Sequence, residues 1–173
     1  MNKLYETAKE CLGLNLAPTY KELGCVEALR NVFKKATGEE LADTYSTRTL
    51  YLFLKKDTRF KEVFEPATGD LILSPTGYGN GSFVGHCGVV GENKIIYSNN
   101  SDTLLWDTKY TIDSWRERYM RKGGFPMFYY HLIEKQPVKP ETPLKPQDLT
   151  NKEQLKVILE KVVKLLKQLL GIK

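Results

Sequence analysis

Apolar residues recur with a helical period in the first third of this chain and with a strand-like period later. Between 24 and 37, Val26, Leu29, Val32 and Phe33 fall three or four residues apart, which places them on one face of a helix. Gly38 follows, a residue type that ends helices because it adopts left-handed backbone without a Cβ clash. A first helix is predicted over 2–12. A third runs to Leu54, with Ser46 or Thr47 as its cap. Gly69-Asp70 then precedes the apolar run LILS, and HCGVVG and KIIYSN flank Glu92-Asn93, which reads as a tight hairpin. A short strand over 103–108, a helix over about 113–120 and a last strand in PMFYYHLI complete the pattern. Helices first and antiparallel strands afterwards predict an α+β fold, with N-terminal helices packed on a small antiparallel sheet.

The pattern breaks at 134–148, EKQPVKPETPLKPQD, where Pro137, Pro140, Pro143 and Pro146 recur every third residue. Polyproline II has three residues per turn, so the segment reads as an extended rod, at about 3.1 Å per residue roughly 45 Å long. A plain spacer is one use of it and a ligand for an SH3-like domain the sharper one. In 149–173 the apolar residues Leu155, Ile158, Val162, Leu165, Leu169 and Ile172 form a heptad seam, widened by Leu159, Val163, Leu166 and Leu170. Such a basic amphipathic helix can pack on its own domain, self-associate as a coiled coil, or lie on an anionic membrane surface. Its lysines interrupt it too often for a membrane span. The organisation predicted is a body at 1–133, a linker at 134–148 and a helix at 149–173.

With 173 residues there is room for one domain and an appendage. The formal net charge of +5 would suggest nucleic acid, but +4 of it lies in 149–173. The body is close to neutral, so no nucleic-acid partner is expected. No apolar run near the start resembles a secretory signal. This predicts a protein that is cytoplasmic in the cell that makes it, or one released by a route other than the secretory pathway. The three cysteines, Cys11, Cys25 and Cys87, share no spacing that suggests disulfides. With only His86 and His131 beside them, neither a metal site nor a cofactor is expected.

The chemistry candidates converge. Cys25 opens a helix just after Gly24, where unpaired backbone N–H groups and the helix dipole favour a thiolate. His86 opens a strand after a Gly-rich loop, and an imidazole beside a thiol is the general base of Cys–His catalysis. Cys87 points to the opposite face of that strand and reads as inert packing. Across the hairpin, Tyr97, Ser98, Asn99 and Asn100 offer a polar group to orient His86. Asn99 is the first candidate, Asn100 the choice if the register slips by one, and Asp102 a weaker third. Each of these residues alone is equally a core, turn or packing residue.

GCVEALRNVF, TGDLILSP and GHCGVVGENKIIYSNN together resemble the papain-like cell-wall hydrolases, which include NlpC-type peptidases and CHAP (cysteine, histidine-dependent amidohydrolase/peptidase) domains, among them phage endolysins. The resemblance spans roughly 20–133. It implies a papain-like α+β fold with Cys25 as nucleophile, His86 as base and Asn99 as the orienting residue. It also implies amide hydrolysis in bacterial peptidoglycan, as a cysteine endopeptidase or an N-acetylmuramoyl-L-alanine amidase. NlpC-type enzymes show Asp-Cys-Ser-Gly where this chain has Gly24-Cys25-Val26-Glu27, which favours the CHAP-like branch. CHAP domains often carry Glu two residues before the Asn, where this chain has Tyr97. Tyr20 is a candidate oxyanion donor, and Tyr20, Tyr78, Tyr97 and Trp106 are candidates to line the cleft. The alternatives are a non-catalytic binding or structural module of a virion or surface assembly, oligomerised by its C-terminal helix, and a cysteine hydrolase or acyltransferase acting on another amide.

Overall fold

The computed structural model describes residues 2–20, 23–81, 84–133 and 151–170. The chain divides into two compact units, Met1–Glu134 and Lys135–Lys173. In the first unit, helix α1 (Lys3–Glu10) starts where the Asn2 side chain accepts the N–H groups of Leu4 and Tyr5. Helix α2 (Cys25–Thr37) ends at Gly38, whose φ of 77° is the left-handed cap expected there. Helix α3 (Thr47–Leu54) is capped by Ser46, whose hydroxyl accepts from the Thr49 N–H.

Six strands follow: β1 (Phe60–Val63), β2 (Leu71–Ser74), β3 (His86–Val90), β4 (Ile95–Asn99), β5 (Trp106–Thr111) and β6 (Phe128–Leu132). They form one sheet in the order β1-β6-β2-β3-β4-β5, with antiparallel neighbours throughout. The fold is α+β. The hairpin between β3 and β4 turns through Asn93 and Lys94, both with positive φ.

Three details differ from the pattern-based expectation. Strand β1 was not predicted: of its four residues only Phe60 is buried, too little for a visible period. Strand β5 starts at Trp106 rather than 103, because Leu104 turns the chain with φ 61° and donates its N–H to the Asn100 carbonyl. The helix expected over 113–120 is a single α-turn, α4 (Ile112–Trp115), that widens into a π-helical stretch at Arg116–Lys122.

Strand alternation divides the core in two. Leu71, Leu73, Cys87, Val89, Tyr97 and Trp106 pack against α1, α2 and α3 on one face of the sheet. Ile72, Val90, Ile96 and Tyr110 face the other way, where Trp115, Tyr119 and Phe125 cover them. With both faces covered, β2 and β3 are buried at every position, so they read as continuous apolar runs rather than as alternating ones. The Gly69-Asp70 pair has a local purpose. Gly69 has φ 94°, and the buried Asp70 carboxylate accepts the Ala67 N–H at 2.7 Å and lies 2.7 Å from the His131 Nδ1. This links the start of β2 to β6.

In the second unit, helix α5 spans Asn151–Leu170. Leu155, Ile158, Leu159, Val162, Val163 and Leu166 on it are exposed. No described helix is long and apolar enough to cross a membrane. The proline-rich linker predicted at 134–148 lies outside the described residues.

Candidate active site

Cys25 is the first residue of α2, and Gly24, its N-cap, offers no side chain to occupy the free N–H groups of the first turn. Glu27, in that same turn, reaches back instead. Its two carboxylate oxygens accept the N–H groups of Thr19 and Tyr20 at 3.3 and 3.0 Å. This braces the loop before the helix and fixes where the thiol emerges. Cys25 is half-buried and packs on the helix-side core.

Three neighbours and burial set its ionisation. A hydrogen bond from the Cys87 thiol lowers the Cys25 pKa most; burial opposes it; the His86 ring, by hydrogen bond and charge, and the Val26 N–H lower it further. The balance lies well below the ordinary thiol value, so the thiolate is favoured. Cys87 moves the opposite way. Burial, then the hydrogen bond and charge of Cys25, hold its pKa well above the ordinary value, and it stays a thiol that donates S–H. Cys87 does point away from His86 into the core, as alternation predicted. It is not inert, however, because it supports the Cys25 sulfur.

His86 opens β3 with its side chain among aromatic rings. It stacks on Trp115 at 5.1 Å and on Tyr119 at 5.7 Å, and meets Tyr110 edge-on at 6.0 Å. Trp115 is fixed in turn, its indole N–H donating to the Ser74 hydroxyl at 3.0 Å. Ser74 lies directly opposite His86 in the β2–β3 register. The imidazole is therefore held by ring faces on a strand–turn unit that nothing in the local sequence links to it. These three aromatics were missed in the sequence. The only signal was the density of Tyr and Trp between 106 and 119.

The two asparagines differ. Val89 pairs with Tyr97 and Val90 with Ile96. Continued toward the strand ends, that register sets Asn100 opposite His86 and Asn99 opposite Cys87. The Asn100 amide is fully engaged: it donates to Asp107 at 2.7 Å, and its oxygen accepts from the Asp102 N–H at 3.0 Å and from Lys109 at 3.2 Å. Asn99 is 2% exposed, and its Oδ1 has no hydrogen-bond partner. Asp102 is taken up by Lys109.

Cys25, His86, Asn99, Asn100, Lys109 and Arg118 line one cavity of about 230 Å³. A wider one of about 440 Å³, lined by Tyr20, Tyr45, Thr47 and Thr76, shares Leu23, Cys25, Val84 and Gly85 with it. The sulfur stands where the two meet. Tyr20 stacks on Tyr45 at 4.2 Å. Tyr78 is half-exposed, edge-on to Tyr51 at 5.5 Å with Arg48 over its ring, and is not among the residues lining either cavity. Tyr97 and Trp106, expected in the cleft, are core residues. The Tyr97 ring lies on Gly91 and against Tyr5 at 6.0 Å, and the Trp106 indole donates to the Ala8 carbonyl at 2.9 Å. Among the described residues no group of His, Cys, Asp and Glu is arranged to hold a metal ion.

No protein-family model and no curated protein matches this sequence. Among solved structures, the chain is similar to a chain of the type VI native effector–immunity complex Tae3–Tai3 from Ralstonia pickettii. The TM-score is 0.50 at 14% identity, covering 75% of this chain and 96% of that one. At that identity the likeness is one of fold, and it places the α+β architecture of this chain beside that of a component of a type VI effector–immunity complex.

Proposed function

We propose that this protein is a cysteine amidase or peptidase that cleaves peptidoglycan. The observation that carries the reading is the Cys25 sulfur, held at a helix start against the His86 imidazole, with its pKa lowered, on the wall of an open cavity. The Cys25 thiolate attacks the carbonyl carbon of an amide. The backbone N–H of Cys25 is one donor to the resulting oxyanion. His86 passes a proton to the departing amine, leaving a thioester. His86 then takes a proton from water, whose oxygen attacks the thioester; the acid is released and the thiol restored. Asn99 supplies the acceptor for the imidazole N–H that does not face sulfur. Asn100 is nearer by register, but its oxygen already accepts two hydrogen bonds. Asn99 has an unused one in the same cavity.

The support for the cell wall as the place of action is the resemblance of the Cys25, Gly69-Asp70 and His86 segments to cell-wall hydrolases; the likeness to a chain from a type VI effector–immunity complex supports the fold. The basic, apolar-striped α5 is proposed to engage an anionic envelope surface or a second copy of itself.

Digestion of purified peptidoglycans, read by mass spectrometry, tests the reading. New amine termini are expected with the intact protein and none with Cys25→Ala. No release from any wall type, together with slow alkylation of Cys25 at neutral pH, would favour a non-catalytic binding module instead.

A further inference from the structure

The two cavities that meet at Cys25 differ in charge. The wider one is lined by Tyr20, Tyr45, Thr44, Ser46, Thr47 and Thr76 and, apart from Cys25 itself, has no ionised side chain among its described residues. The narrower one has two cations, Lys109 and Arg118, and no carboxylate among its described residues. Lys109 is already satisfied, by Asp102 and by the Asn100 oxygen. Arg118 is held less fully: its side chain hydrogen-bonds that of Tyr119 and feels the Asp102 charge, but unlike Arg116 and Arg121, which pair with Asp113 and Glu117, it forms no ion pair among the described residues. Its guanidinium lies over the Tyr119 ring at 5.7 Å, and that same ring stacks on His86 at 5.7 Å. The cation is thus one aromatic ring away from the base and lines the same cavity as Cys25.

A guanidinium held this way recognises a planar anion through paired N–H donors, and its natural counterpart in a peptide is a carboxylate. We propose that Arg118 binds a free carboxylate of the substrate on the His86 side of Cys25. The site then selects acidic peptides in which that carboxylate is not amidated, while the wider, uncharged cavity takes a neutral portion. The inference rests on the reading of Cys25 as the nucleophile. It adds the chemical class of substrate and a specificity-determining residue.

Two measurements on the full chain test it. The first needs no substrate. Cys25 is alkylated with iodoacetate and, separately, with iodoacetamide, reagents that differ in one carboxylate. Arg118→Gln should lower the iodoacetate rate several-fold at low salt relative to the iodoacetamide rate, and Arg118→Lys should retain part of the difference. Arg121→Gln removes the same charge from the same π-helical stretch and should leave the ratio unchanged. The second compares soluble muropeptides with free and amidated carboxylates. The intact protein should prefer the free acid by about tenfold in kcat/KM. Arg118→Gln should lose that preference mainly through KM. An alkylation ratio that ignores Arg118, or a substrate preference that survives Arg118→Gln, overturns the proposal. If no muropeptide is cleaved, the hydrolase reading fails, and the alkylation ratio still decides whether Arg118 holds a carboxylate beside the thiol.

Discussion

The two faces of the sheet hold the two reacting groups in different ways. On the helix side the thiol is placed by backbone: a helix start, a glycine cap, and the Glu27 brace to the loop before it. Its ionisation is set by a second thiol, Cys87, reaching through from β3, together with the His86 ring. On the opposite face the imidazole is placed by side chains, against the rings of Trp115 and Tyr119, which pack on each other at 4.7 Å and belong to a short turn rather than a long element. Changes on the helix side should therefore alter how readily the thiol ionises. Changes on the aromatic side should alter whether the imidazole stands where it is needed.

The largest break in this contrast is expected at Trp115. It is fully buried, backs His86 and bonds Ser74. Trp115→Ala should cost about 3–5 kcal/mol in chemical denaturation. Trp115→Phe keeps a ring but strands the Ser74 hydroxyl, at about 1–3 kcal/mol. A variant that kept full stability and full turnover would show that the ring does not seat His86.

A middle-sized effect should separate the asparagines. Asn99→Ala removes a buried oxygen that has no partner, so stability should change by less than about 1 kcal/mol. Turnover should fall by tenfold or more, on the order of what a misdirected base costs. Asn100→Ala removes a donor to Asp107 and an acceptor for Lys109 and should lose stability first. The reverse pattern, in paired denaturation and rate measurements, would transfer the orienting role to Asn100.

The smallest effect sharpens the helix side. Cys87→Ala removes the hydrogen bond that lowers the Cys25 pKa most. The pH profile of alkylation should move up toward the ordinary thiol value, with the rate at neutral pH falling a few-fold. The sign for stability follows from the same shift. A folded-state pKa below the unfolded one stabilises the fold above the unfolded thiol value of about 8.5, and the gain is lost as pH falls through the folded value. Intact protein should therefore gain stability over Cys25→Ala as pH rises through that window.

Much of this arrangement is legible in the sequence where the cause is local. The apolar spacing of 26–33 and the stop at Gly38 show α2, and Cys25 then falls at its start. Glu92-Asn93 between two apolar runs shows the β3–β4 hairpin. The remainder depends on partners far along the chain. Strand β1 exists because β6 pairs with it, Val63 against Tyr129. Tyr97 looks like a cleft residue until Gly91 and Tyr5 are seen to receive its ring. Cys87 looks inert because alternation describes its direction but not what lies across the gap. The aromatic seat of His86 has no local signal, since Ser74, Trp115 and Tyr119 meet only in the fold.

The strand order also governs how the chain can be made. Strand β6 is the last strand of the body, yet it lies between β1 and β2. A chain emerging from its N-terminus has β1 with no partner and β2 with one bare edge until Leu132 is available. Exposed strand edges invite pairing with other chains, and contacts distant in sequence form late. The cell that synthesises this protein therefore holds, for the time between β2 and β6, a half-built sheet beside a free cysteine.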